Sequence, residues 1–209
     1  MEECLNISRK TVLIKDLSTI IDFDLINKII DNLEVGPNKS NQISKNKRIF
    51  DTHELLTIKA ILENECEEFL RYGHGLKDFE NLIMTTSWLN ITDPGHMHHV
   101  HKHPFSVVSG VIYLDDNPEN LNLQLHVDMP EIPYFLYTED TYLSLKTLIG
   151  TNNNLKNHIV LFLSNTGHGV ERTASDSMPR RSISFNTFWK GMTGVKDMAF
   201  ESITFKNNC

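Results

Sequence analysis

From residue 82 onward the sequence breaks into short apolar stretches of strand character, and this punctuation constrains the fold more than any other feature. The stretches are LIMTTSWLNI (82–91), SGVIYL (109–114), LNLQLHV (121–127), HIVLFLS (158–164) and RRSISFNTFW (180–189). In LNLQLHV the alternation is strict, with Leu121, Leu123, Leu125 and Val127 on one face and Asn122, Gln124 and His126 on the other. Such a two-sided pattern is that of a half-buried antiparallel strand. The preceding part is different. Residues 11–14 suit a first strand, and 24–33 place Leu25, Ile26, Ile29, Ile30 and Leu33 on one helical face that Gly36-Pro37 stops. A second helix is predicted after Asp51, where Asp51 and Glu54 have capping-box spacing, carrying Leu55, Ile58, Leu62, Cys66 and Phe69 inward until Gly73 and Gly75. Helices followed by a series of short strands imply a mostly β, α+β chain: a sandwich or barrel buttressed on one side by helices.

At 209 residues the chain suits one domain with a sizeable core. The expected division is 1–81 as strand and helical support, 82–191 as the β core with an insertion at 130–157, and 192–209 as a C-terminal extension. Net charge is −7, which argues against general nucleic-acid binding, since that needs a basic footprint. The cysteines Cys4, Cys66 and Cys209 are odd in number and lack a CxxC pair, so neither a disulfide framework nor a zinc ribbon is indicated. No signal core or run of ~18 apolar residues is present, so the expectation is a protein of the cytoplasm with no membrane span. No heptad marks an oligomer.

Five of the ten histidines fall within eight positions: His96, His98, His99, His101 and His103. If extended, His99, His101 and His103 share a face, and imidazoles at i and i+2 can grip one transition-metal ion. A solvated loop can also carry such a run. Here, however, Pro104 ends it and an apolar strand entered through Gly110 follows. The best third ligand is His168, flanked by Gly167 and Gly169 after another apolar strand. Twelve residues on stands Arg180, with Ser182 on the same strand face. An arginine pointing into a barrel needs an anion, and its fork matches a carboxylate.

At these residues the chain resembles a known family. HVHKHPFSVVSGVIYL (99–114), VLFLSNTGHGV (160–170) and RRSISFN (180–186) with the trailing NTFWKG resemble the 2-oxoglutarate and Fe(II)-dependent oxygenases. More narrowly they resemble a group from phages and marine bacteria with the pattern HxHP…SGVYY…H…RxSxxFN. The likeness covers about residues 88–191. It implies a double-stranded β-helix, the jelly-roll barrel shared with cupins. It further implies Fe(II) on His101, His103 and His168, and 2-oxoglutarate as co-substrate with its far carboxylate on Arg180 and Ser182. No catalytic residue beyond the metal centre is implied; Asn186 matches the group's asparagine without an assigned role, and His99 is a candidate contact to ligand or substrate. Arg181 would face the other way. Most of the superfamily has a carboxylate where this chain has His103, a change that removes one negative charge from the metal's surroundings.

Three other readings stay open on the sequence. His126-Val127-Asp128 is a literal HxD, so His126 and Asp128 form an alternative metal pair. Gly95, five residues, then His101-Lys102-His103 opens like a cupin motif, but Val107 and Val108 stand where its glutamate would be. A three-histidine iron dioxygenase of that type would need no 2-oxoglutarate. The third is a metal-containing binding module, recognising its partner through Tyr134, Phe135, Tyr137 and Tyr142. The substrate, small molecule or peptide, is not named by the sequence, and a phage-encoded protein would work in the host cytoplasm.

Overall fold

The structure is a computed structural model that describes residues 11–77, 81–126, 142–193 and 200–201. A seven-stranded antiparallel sheet forms one wall, in the order β1 (Val12–Asp16), β9 (His158–Leu163), β6 (Val108–Tyr113), β11 (Arg180–Trp189), β4 (Leu82–Thr92), β3 (Gln42–Ser44), β2 (Val35–Pro37). A four-stranded antiparallel sheet faces it, ordered β5 (His98–His101), β10 (His168–Val170), β7 (Leu123–His126), β8 (Tyr142–Ser144). Two short strands, β12 (Met192–Thr193) and β13 (Phe200–Glu201), pair separately. This is the mostly β jelly-roll architecture with helices on one side.

The helices are α1 (Phe23–Ile30), α2 (Leu56–Glu68) and the short α3 (Leu145–Ile149). Asp22 starts α1 by accepting the Leu25 amide at 2.9 Å, and Phe23, Ile26 and Ile30 are its buried face. That helix is shorter than expected, and Gly36-Pro37 is more than a stop, since it forms β2 against β3. Nor does α2 begin directly after Asp51. Two 3-10 turns, Ile49–Asp51 and His53–Leu55, come first, because the Asp51 carboxylate is held by Arg48 and Lys59. Leu55, Ile58, Leu62, Cys66 and Phe69 are buried as their spacing requires. Burial pushes the Cys66 thiol well up, which makes it inert at neutral pH. The helix closes through a π turn, Phe69–Gly73.

Two apolar clusters result. One lies between the helices and the outer face of the large sheet, with Leu89, Ile112, Ile183 and Phe185 from the strands. The other fills part of the space between the sheets, with Val111, Leu123, Leu125, Val160, Phe162 and Val170. Strand β7 is shorter than the alternation predicts: Pro118–Asn122 is a 3-10 turn capped by Asn117, and Val127 lies outside the described residues. Of the 130–157 insertion, α3 and the residues around it are described, and the aromatic positions 134, 135 and 137 are not. Among the described residues no helix is long and apolar enough to cross a membrane.

Candidate metal centre

Strand β11 carries the two environments on alternate residues. Ile183 and Phe185 enter the helix-side core, while Arg180, Ser182 and Ser184 line the cavity between the sheets. The same cavity is lined from the small sheet by His98, His101 and His168, and by His103. As the side chains stand, its volume is about 30 Å³, room for one or two waters.

His168 on β10 stands directly opposite His101 on β5, so both imidazoles project from the same face of the small sheet. Gly169 permits this closeness, because a Cβ there would lie 2.9 Å from the His98 carbonyl oxygen. His103 lies two residues beyond the end of β5, with its amide donating to the Ser164 carbonyl at 3.0 Å. Its ring is held against Trp88, 5.8 Å between centroids, and His168 packs on Phe162 at 4.6 Å.

One ligand nitrogen from each of His101, His103 and His168 lies within 4.8 Å of the others. The Nε2 atoms of His103 and His168 are 3.2 Å apart. Two nitrogens each ~2.1 Å from one ion at near-right to tetrahedral angles are separated by roughly 3.0–3.4 Å, so that pair is spaced to share an ion. His101 Nδ1 donates to the His99 carbonyl at 2.9 Å, and His168 Nδ1 donates to the Thr166 carbonyl at 3.0 Å. Each bond leaves Nε2 bare and aims the ring, as metal-binding histidines require. Burial, helped by the neighbouring imidazoles, lowers His168 to about 3 and His103 to about 4, so both are neutral and able to donate a lone pair at pH 7. A three-imidazole set suits iron, nickel, copper or zinc.

Arg180 is 2 % exposed, and among the described residues no acid pairs with it. Its buried Nε has no acceptor. Its guanidinium lies 5.1 Å from the ring centroid of Tyr113, whose hydroxyl is also buried without a well-formed hydrogen bond. Burial raises the Tyr113 phenol, and the adjacent guanidinium opposes that rise. Ser182 pairs across the sheet with Tyr113 and is likewise buried. An unpaired buried cation beside two hydroxyls fits a bound anion, because leaving such groups unmet is expensive.

The other expected residues fall as follows. Arg181 faces outward and forks onto Asp115 through two bonds of 2.8 Å, with Asp31 at 2.9 Å. Asn186 reaches His103, its amide 3.4 Å from Nδ1. His126 neighbours Leu125, which faces the same way as His168, so its side chain projects from the other face of the small sheet; Asp128 lies outside the described residues. His99 packs 5.2 Å from the His101 ring, with its Nδ1 unpartnered.

Two residues beside the site were not anticipated. Tyr113, fully buried against Arg180, sat within a plain apolar strand. His98 is one position out of step with His99 and His101, and it faces inward because β5 carries an extra residue: His101 pairs with His168, but His98 pairs with Val170. A bulge of that kind re-aims a side chain and leaves no trace in simple alternation. Together with His99 and His101, His98 forms a second grouping of donor atoms within 4.8 Å, and burial lowers it to about 3.

A jelly roll with three convergent imidazoles and a buried arginine that no acid meets among the described residues is a barrel whose cavity could hold a metal ion beside an anion. The comparisons bear on the same fold. Residues 86–186, just under half of the chain, match the family model described as "Putative 2OG-Fe(II) oxygenase". No curated protein sequence matches the chain. Among solved structures, HygX from Streptomyces hygroscopicus with nickel and 2-oxoglutarate bound is similar at a TM-score of 0.60 and 8% identity, over 90% of this chain and 86% of that one. A prolyl-4-hydroxylase from Pseudomonas putida matches at 0.53 and 16% identity, over 86% and 93%. The α-ketoglutarate-dependent epimerase SnoN from nogalamycin biosynthesis matches at 0.59 and 10%, over 88% and 80%. At these identities the likeness is one of fold.

Proposed function

We propose that this chain is an Fe(II)- and 2-oxoglutarate-dependent oxygenase that hydroxylates a C–H bond of a small-molecule or peptide substrate. The observation that carries the reading is the juxtaposition, in one cavity, of three imidazole nitrogens spaced for a metal with a buried arginine that has no acidic partner. His101, His103 and His168 would hold the iron. Arg180 and Ser182, with the Tyr113 hydroxyl, would hold the far carboxylate of 2-oxoglutarate. When bound, the pair supplies oxygen activation coupled to release of succinate and carbon dioxide.

The chain's own contribution is placement. Thr166 and His99 carbonyls fix the tautomers of His168 and His101. With its far carboxylate on the guanidinium, 2-oxoglutarate would be held in the cavity that the imidazoles also line. Val111, Leu123, Phe162 and Val170 keep that part of the cavity dry. Three neutral ligands leave the ion with more positive charge than a set including a carboxylate, which favours a doubly charged anion. The narrower likeness to the phage and marine bacterial group belongs to the same reading, as does a cytoplasmic setting.

The test is anaerobic addition of Fe(II) and 2-oxoglutarate to the purified protein, watching for the visible charge-transfer absorption of the chelated complex. The expected result is a band in the wild type that needs about 30- to 100-fold more 2-oxoglutarate in Arg180→Ala, the loss of ~2–3 kcal/mol of charge-assisted hydrogen bonding. Iron binding with no band at any 2-oxoglutarate concentration would hand the site to a three-histidine dioxygenase or to a metal-holding binding module.

A further inference from the structure

Beside the three imidazoles assigned to the iron stands a second set that the proposed chemistry does not use. His98, His99 and His101 each bring a ligand nitrogen within 4.8 Å of the others. Consecutive residues of a regular strand send their side chains to opposite faces. Yet the His98 and His99 rings are 5.1 Å apart, and they lie 4.9 and 5.2 Å from the His101 ring. The slip in β5 is the reason: His101 pairs with His168 but His98 with Val170, and the extra residue lets both rings turn toward His101. His99 Nδ1 is shielded from solvent and has no hydrogen-bond partner, a costly arrangement for a polar atom that meets no ligand.

The two sets differ in depth. His103 and His168 line the cavity, and His168 is buried; His99 is half-buried and stands outside that lining, while His98 and His101 belong to it. The second set therefore runs from the outside inward. Their electrostatics differ as well. The Lys39 ammonium acts on His99 and the Arg180 guanidinium on His98, whereas the charges that act on His103 and His168 are those of other imidazoles. Cations nearby weaken a site for a metal ion, so the inner set is the stronger. His101 is common to both. Its Nδ1 donates to the His99 carbonyl at 2.9 Å, which leaves it one nitrogen to give, so one ion at a time can hold it.

We propose that His98, His99 and His101 form an outer site for a divalent transition-metal ion, where an arriving ion is first held, and that His101 then passes the ion to His103 and His168. The transfer presupposes that His101, His103 and His168 hold the iron, as proposed above. Nothing is oxidised or reduced in it. The bonds from the ion to His98 and His99 break, those to His103 and His168 form, and the bond to His101 is kept.

The test uses the full chain with Co(II) as the probe. Equilibrium dialysis gives affinity, and stopped-flow quenching of tryptophan fluorescence gives the rate of arrival at the inner set, because the Trp88 ring lies 5.8 Å from that of His103. Wild type should bind a single tight Co(II). His168→Ala leaves the outer set whole and should still bind one Co(II) weakly; adding His99→Ala should weaken that residual binding about 10-fold or more. His103→Ala serves in place of His168→Ala should the latter fail to fold. His99→Ala alone should keep the equilibrium affinity within about threefold of wild type yet slow the quenching about tenfold, because capture beside the inner set makes the second step intramolecular. Equal residual binding with and without His99, quenching as fast in His99→Ala as in wild type, or two tight Co(II) per chain overturns the outer site and its transfer. If His168→Ala and His103→Ala both bind Co(II) like wild type, the inner ligand assignment falls, and the transfer with it.

Discussion

The two sheets that enclose the cavity are built on different principles. In the large sheet β4 and β11 run 11 and 10 residues and pair over ten positions, with helices packed on their outer face. In the small sheet no strand exceeds four residues, and β5 and β10 meet at two positions with a slip between them. The long, doubly packed strands present Arg180 and Ser182, the proposed anion grip. The short strands present the imidazoles of the proposed metal grip, and bringing these together takes a bulge, a glycine contact and a segment beyond the strand end. The anion grip so proposed stands on the regular wall and the metal grip on the irregular one.

Four substitutions test that contrast, taken from the largest expected effect to the smallest. Phe185→Ala empties a fully buried site on the outer face of β11 and should lower stability by about 3–5 kcal/mol in urea unfolding. Because Phe185 packs in the helix-side core and only borders the cavity, Co(II) affinity of the folded fraction should stay within about threefold; a larger loss would mean the two faces of β11 are not independent. His168→Ala should do the reverse, weakening Co(II) more than about 100-fold by equilibrium dialysis, since even outer partners of metal ligands are worth 10–100-fold. Its melting temperature should be near that of wild type, and a collapse of the fold would show that the small sheet depends on the imidazole.

Smaller effects follow at the wall itself. A Cβ on Gly110 would meet the Phe185 ring at 2.2 Å, so Gly110→Ala should cost about 1–3 kcal/mol through forced repacking; a neutral result in thermal unfolding would show that the core has room. Arg181→Ala removes the outward fork onto Asp115 and Asp31. These groups are partly exposed and screened, so the loss should be under about 1 kcal/mol and should shrink in 1 M salt. Persistence of the loss at high salt would contradict a screened pair.

The contrast also explains what could be read from the sequence. Periodic elements that answer to burial on a long, regular frame were visible: β11 occupies the expected 180–189, and the inward face of α2 was correctly named. Arg180, Ser182, His101 and His168 were visible because chemistry-bearing side chains interrupt those patterns. Features that depend on one element slipping against another were not. His98 entered the cavity through the β5 bulge, and Asn186 reached His103 through the β4 bulge. Tyr113 was hidden because a tyrosine in an apolar strand looks the same whether its hydroxyl is used or not. The start of α2 was misplaced because the Asp51 carboxylate bonds the Arg48 and Lys59 side chains, choices that a capping pattern of two residue types does not register.

Strand β11 works as a ruler with parity. Arg180, Ser182 and Ser184 count even into the cavity, and Ile183 and Phe185 count odd into the helix-side core. A single inserted residue between Ser182 and Ile183 would send either the arginine into solvent or a phenylalanine into the cavity, whatever the residue was. Substitution can therefore retune this wall one position at a time, whereas a change in its length must come in pairs or fall where the count is already broken, between Asn186 and Thr187.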